Sequence, residues 1–253
     1  MSDSDIELAR RAIALVDLTD LSDDASVEGI DRLCERAARH GTAAVCVWPD
    51  FVAQSVAALV GTPVVVATVV NFPSGDERPH AVRVVTERAL HDGADEIDVV
   101  LPYRAWLVGD EERAADMIDG VRDAAREARM KVILETGALP DDAAIERAAR
   151  FAIEHGADFI KTSSGKIDIS ATPEAAKTML RVIAETDRPV GIKPSGGIRT
   201  IADAALYLAL ADDIMGTDWV SPSTFRFGAS GVLDTLVAAL DGRLLEPADS
   251  SSY

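Results

Sequence analysis

Eight short apolar or β-branched runs alternate with amphipathic helical patterns along the 253 residues, and this alternation limits the fold more than any other feature. The candidate strands are Ile13–Asp17, Ala43–Trp48, Pro63–Val69, Glu96–Val100, Lys131–Glu135, Asp158–Lys161, Val190–Lys193 and Thr224–Gly228. Markers at or near their ends, Asp17, Cys46, Asn71, Asp98, Glu135, Lys161, Lys193 and Gly228, recur every 25 to 37 residues. That is the length of one βα unit. Between the strands run stripes such as Ile30, Leu33, Cys34, Ala37 and Ala38, the spacing of a helix packed on one side. Thr172 before Pro173 offers an N-cap with a first-turn proline, and Thr200 with Asp203 resembles a capping box. Gly41, Gly61, Gly93 and Gly156 suit left-handed caps, with His40, His91 and His155 in or near last turns as dipole or cap residues rather than ligands.

Eight such units predict an α/β chain folded as a single (β/α)8 TIM barrel. A doubly wound sheet would carry a GxGxxG fingerprint after its first strand, and none is there. No break in composition divides the chain. Residues 1–245 read as one barrel domain with a short N-terminal helix, and residues 246–253 as a flexible C-terminal tail.

Charge narrows the partners. Twenty-five basic against forty-three acidic residues leave −18, and only five of the bases are lysines. Such a surface repels nucleic acid and anionic membranes. Acidic excess with scarce lysine points to a salt-rich cytoplasm, where a Debye length of about 3 Å at 1 M salt screens the self-repulsion. The longest strongly apolar run, Ala204–Ala211, falls far short of the roughly 20 residues of a spanning helix, and the acidic N-terminus lacks a signal core. The chain is expected in the cytoplasm. Cys34 and Cys46 are too few for a disulfide framework, and no Cys/His spacing suits a metal.

Chemistry in a barrel gathers at the C-terminal ends of its strands. Two of the five lysines, Lys161 and Lys193, end neighbouring strands six and seven beside glycine-rich loops. An ordinary lysine titrates near 10.4, and bringing one to about 7 means destabilising its ammonium by about 4.6 kcal/mol. Burial and a second cation supply such a shift. The neutral amine attacks a carbonyl, and the resulting iminium accepts electrons from the adjacent C–C bond. The lysine pair therefore points to class I aldol chemistry. No His stands at a strand end to hold the cation of a metal-dependent aldolase. Asp98 lies on the same side of its strand as Glu96 and faces the mouth as a partner for the lysines. Glu135 orients an active-site amine or plays a structural part, Cys46 fills space near the pocket, and Asp17 and Thr19 position the others by hydrogen bonds.

Loops after strands seven and eight often hold phosphate in barrels. Here they carry Gly196 and Gly197 after Lys193, and Gly228 and Ser230 ahead of a helix starting near Gly231, with Thr162, Gly165 and Lys166 from the strand-six loop as helpers. Another barrel enzyme acting on a sugar phosphate, or a silent sugar-phosphate binder, would share these loops, and turnover separates an enzyme from the binder.

The motifs VCVWP, ATVVNFPSG, GADEIDVVLPY, KVILETG, ADFIKTSSGK, GIKPSGGIRT and FRFGAS, in this order, resemble those of the deoxyribose-phosphate aldolase family. The resemblance implies reversible cleavage of 2-deoxy-D-ribose 5-phosphate to acetaldehyde and D-glyceraldehyde 3-phosphate, in deoxyribonucleotide catabolism, with no metal or organic cofactor. It makes Lys161 the Schiff-base former, Lys193 the acid/base partner and perturbing cation, and Asp98 the third member of the relay. It also implies a homo-oligomer and a C-terminal Tyr253 that folds over the mouth to assist proton transfer. Ser164, Ser195 and Gly231 depart from the family pattern, in the loops that would bind phosphate.

Overall fold

A computed structural model describes residues 3–243. Helix α1 (Asp3–Ile13) leads into β1 (Val16–Asp20), α2 (Val27–His40), β2 (Ala44–Val47), α3 (Val52–Ala58), β3 (Val65–Val70) and α4 (Pro79–His91). Then come β4 (Glu96–Val100), α5 (Tyr103–Leu107), α6 (Glu111–Ala124), β5 (Arg129–Ile133), α7 (Asp142–Glu154), β6 (Phe159–Lys161) and α8 (Pro173–Ala184). β7 (Gly191–Lys193), α9 (Ile201–Met215), β8 (Phe227–Ala229) and α10 (Val232–Leu240) complete the order. The strands are parallel, in the order β7-β6-β5-β4-β3-β2-β1-β8. Bridges Ile192–Phe225 and Ser195–Gly228 join the two ends, so the sheet closes into the expected barrel.

Local chemistry sets the helix ends. Thr172 caps α8 by accepting from the Ala175 N–H, and Thr200 and Asp203 form a reciprocal capping box on α9. Gly41 ends α2 in the left-handed region at φ 68°, where a side chain would be strained. His155 ends α7 with Nδ1 2.8 Å from Asp119. Arg11 grips Asp212 through two hydrogen bonds of 2.6 and 2.7 Å, tying α1 to α9. Among the described residues no helix is long and apolar enough to cross a membrane.

Several strand limits differ from expectation. The run Ile13–Leu15 does not begin β1, because Ile13 ends α1 and buries its side chain there with Ala9 and Ala12. A short apolar run has no period of its own, so helix packing decides it. β1 runs on to Asp20, and Asp17 becomes its second residue, inside the barrel rather than at the mouth. Likewise Asp98 is the centre of β4, not its end. β5 stops at Ile133, two residues short of Glu135. β8 starts at Phe227, since Thr224 is used in a turn that receives the Ser221 N–H at 3.0 Å.

Strand side chains alternate between two faces. Register pairs Asp17 with Ala44 and Gly228, Asp98 with Val69 and Lys131, Lys131 with Phe159, and Lys161 with Lys193. One parity therefore carries Asp17, Glu96, Asp98, Lys131, Lys161 and Lys193 to the barrel interior. Leu18, Ile97, Val99, Val132 and Ile160 take the opposite parity, buried beneath the surrounding helices. Barrel interiors are ordinarily filled by branched aliphatic residues, so this charged filling marks the site.

Candidate active site

Lys161 and Lys193 are the last residues of adjacent strands and stand side by side in register. Both reach one oxygen: Lys161 Nζ donates to Asp98 Oδ2 at 3.0 Å, and Lys193 Nζ to the same atom at 2.8 Å. Their nitrogens are consequently less than about 6 Å apart, close enough for strong mutual repulsion when both are charged. Lys193 also lies 2.6 Å from Asp17 Oδ2 in a fully buried ion pair. The other Asp98 oxygen, Oδ1, accepts from Lys131 Nζ at 2.6 Å.

The two lysines differ in protonation for physical reasons. Burial lowers the pKa of Lys161, and the neighbouring Lys193 cation lowers it further, against the opposing pull of Asp98. Burial also works against the Lys193 ammonium, yet Asp17 and Asp98 together outweigh it and hold that group well above the ordinary lysine value. Asp98 resists its own burial because three lysines surround it, and its carboxyl lies well below the usual range. A lysine whose proton is loosened thus stands beside a firmly held ammonium, bridged by a held carboxylate.

Three side chains in this lattice escape the reading of strand ends: Lys131, Glu96 and Arg226. Lys131 lies 2.6 Å from Glu96 Oε2, while Arg226 donates to Asp17 Oδ1 at 2.5 Å and to Glu96 Oε1 at 2.9 Å. Their signal is a charge at alternate positions of an apolar strand, as in Arg129-Met130-Lys131 and Glu96-Ile97-Asp98. Such charges share the inner face and must find partners there.

The other candidates take varied places. Thr19 donates to its neighbour's backbone, the Asp17 carbonyl, at 2.8 Å. Cys46 is fully buried, and burial pushes its thiol pKa up. Glu135 holds a left-handed backbone at φ 57°, unusual for a side chain of its size. Its Oε1 accepts the Ser164 N–H at 3.1 Å, Oε2 is buried with no hydrogen-bond partner among the described residues, and burial raises the carboxyl pKa. Tyr253 lies outside the described residues.

Loops after β6, β7 and β8 meet over the lysines. Thr162 Oγ1 accepts the Ser195 N–H at 3.0 Å, and the Gly196 N–H donates to the Gly228 carbonyl at 3.3 Å. Gly165, Gly196 and Gly197 all have positive φ, from 78° to 82°. Gly228 has a steric reason as well: a Cβ there would lie 2.4 Å from Ser195 Oγ and 3.0 Å from Lys193 Cε. Lys166 is half-buried, with its N–H on Ser164 Oγ at 3.1 Å, and Ser230 is exposed just past β8. Thr162, Gly165, Gly196 and Gly228 therefore converge, with Lys166, Gly197 and Ser230 in the same three loops. Among the described residues no group of three or more His, Cys, Asp or Glu side chains has the arrangement of a metal's donor set.

Comparison with known proteins agrees with this chemistry. The chain is 52% identical to a deoxyribose-phosphate aldolase of Agrobacterium fabrum over 250 residues, which cover 97% of this chain and 96% of that one. A crystal structure from Coccidioides immitis, described as a deoxyribose-phosphate aldolase, matches with a TM-score of 0.82 at 32% identity, covering 92% of this chain and 86% of the other. An apo structure from Toxoplasma gondii, described in the same terms, matches with a TM-score of 0.87 at 28% identity, covering 95% and 98%. Residues 11–232 match the family model of the DeoC/LacD aldolases. On these matches the chain belongs to the DeoC/LacD aldolase family.

Proposed function

We propose that this aldolase cleaves 2-deoxy-D-ribose 5-phosphate reversibly to acetaldehyde and D-glyceraldehyde 3-phosphate through a Schiff base on Lys161. The observation that carries the reading is the single Asp98 oxygen shared by Lys161, whose pKa burial and the adjacent cation lower, and Lys193, whose pKa Asp17 and Asp98 raise. Identity of 52% to the Agrobacterium fabrum enzyme supports the choice of sugar.

Lys161 Nζ attacks C1 of the open-chain sugar, and the carbinolamine loses water to an iminium. Among the described residues Lys193 is the one other lysine hydrogen-bonded to the same Asp98 oxygen, so it is placed to donate the proton that water carries away. The C3 hydroxyl then yields its proton to Asp98, through Lys193 or a water. Electrons of the C2–C3 bond pass to the iminium, glyceraldehyde 3-phosphate departs, and an enamine stays on Lys161. Protonation at C2 and addition of water release acetaldehyde and restore the amine. The glycine-rich loops after β6, β7 and β8 present backbone N–H groups to the phosphate.

The test joins a product assay to trapping. Acetaldehyde should form from the sugar phosphate, and borohydride should fix a substrate-derived mass on Lys161. A Lys161→Met variant should show neither. An adduct on Lys193 would reverse the assignment, and turnover with no adduct on either lysine would refute the Schiff base.

A further inference from the structure

Seven ionisable side chains with at most 3% of their surface exposed fill the barrel interior: the carboxylates Asp17, Glu96 and Asp98, and the bases Lys131, Lys161, Lys193 and Arg226. Three bases are held by at least two carboxylates each. Lys131 lies 2.6 Å from Asp98, 2.6 Å from Glu96 and 3.6 Å from Asp17. Lys193 lies 2.6 Å from Asp17 and 2.8 Å from Asp98, and Arg226 lies 2.5 Å from Asp17 and 2.9 Å from Glu96. Among the described residues, Lys161 has a single carboxylate partner, an Asp98 oxygen that Lys193 also occupies.

A buried charge without a counter-charge is strongly disfavoured. Three carboxylates balance three cations, so a fourth cation here would stand uncompensated, and the least-held base is the one to lose its proton. We propose that Lys131, Glu96 and Arg226 are positioning residues that set the proton count of the site, keeping three bases cationic and leaving Lys161 as the neutral amine. The proposal rests on the Schiff-base reading of Lys161 and adds a layer to it. Lys193 is the immediate cation, but its influence depends on Asp17 and Asp98 being shared with the deeper charges.

Other groups near Lys161 do not alter the count. Cys46 of β2 is kept a thiol by burial. Glu135 makes no ion pair among the described residues, and burial drives it toward its neutral form against the pull of Lys161 and Arg104 of α5. Arg129 reaches Glu96 at 2.6 Å from the far end of the barrel, but a third of its side chain is in solvent, which screens it.

Charge signs make the test decisive. Acetaldehyde with borohydride is the probe, and the initial rate of adduct formation at Lys161, read by peptide mass, is followed from pH 5 to 10 in folded protein. Lys131→Met removes a cation and should move the midpoint up by roughly one to two pH units, taking about 7 Å through Asp98 and an effective dielectric of about 20, and Arg226→Met, one ion pair further away, should move it up by less. Glu96→Gln removes an anion and should move it down by a similar amount. The Lys131→Met/Glu96→Gln double variant should return close to the parent, and Lys131→Arg should stay there. A merely structural role would lower the rate in every variant without these opposed shifts. Midpoints that stay put, or that move the same way in Lys131→Met and Glu96→Gln, overturn the proposal. If Lys131→Met does not fold, the sign of the Glu96→Gln shift decides alone. A parent protein with no adduct on Lys161 refutes the Schiff-base reading instead, a result visible before any variant is made.

Discussion

Replacing Lys193 by Met removes the cation nearest Lys161 while preserving most of the side chain's volume. Both nitrogens bind Asp98 Oδ2, at 3.0 and 2.8 Å, which keeps them within about 6 Å of each other. At that separation, with an effective dielectric of about 20, two unit charges repel by roughly 2.8 kcal/mol, or about two pH units. The Asp98 carboxylate also loses a competing partner and turns more fully to Lys161, so both effects act in one direction. The Lys161 midpoint should therefore rise by about two units, and at pH values below the parent midpoint the neutral fraction should fall by about 100-fold. The assay is the rate of borohydride trapping at Lys161 against pH, in Lys193→Met and in a Lys193→Arg control that keeps the charge. Lys193→Met should regain trapping toward alkaline pH but to a lower plateau, because the proton donor for dehydration is gone as well, and Lys193→Arg should titrate near the parent. An unchanged or lower midpoint in folded Lys193→Met would refute the claim that the neighbouring cation depresses Lys161.

Further outcomes follow from the same charges and contacts. Lys161→Met should raise the melting temperature at pH 7 even as it ends turnover, because burial and the Lys193 cation make the native site hold this lysine's proton less firmly than the unfolded chain does. Gly228→Ala should lower kcat at least tenfold and cost about 1–3 kcal/mol of stability in calorimetry, since its Cβ would press on Ser195 and Lys193. Asp17, Glu96 and Asp98 all have carboxyl pKa values below the ordinary range, so the unfolded chain takes up protons first as pH falls. Their stabilisation is present above about pH 4 and should disappear progressively below it, seen as a falling melting temperature in acid. If the −18 net charge reflects adaptation to salt, the melting temperature should rise with KCl into the molar range, and a flat or falling curve would count against that idea.

Much of the architecture was legible because it is written in local periods. The βα recurrence, the caps at Thr172 and Thr200, and the left-handed turn at Gly41 depend on neighbours a few residues away. Lys161 and Lys193 were legible for a related reason: a lysine closing a short apolar strand has few places to go except the mouth of a barrel. Boundaries were harder. Ile13 suits a helix end and a strand start equally well on its own, and its packing beside Ala9 and Ala12 settled the matter. That shift of phase placed Asp17 within the lattice rather than above it.

The sequence by itself determined the number of units and which residues share a strand face, since both follow from spacing along the chain. It also distinguished two lysines from the general acidic background. Only the tertiary structure decided which charges meet: Arg226 finds Asp17 and Glu96 across separations of 209 and 130 residues, and Asp98 gathers Lys131, Lys161 and Lys193 from three strands. The protonation state of Lys161 is a property of that assembly. It depends on distances of a few ångströms and on the exclusion of water, which barrel closure sets and no local pattern encodes.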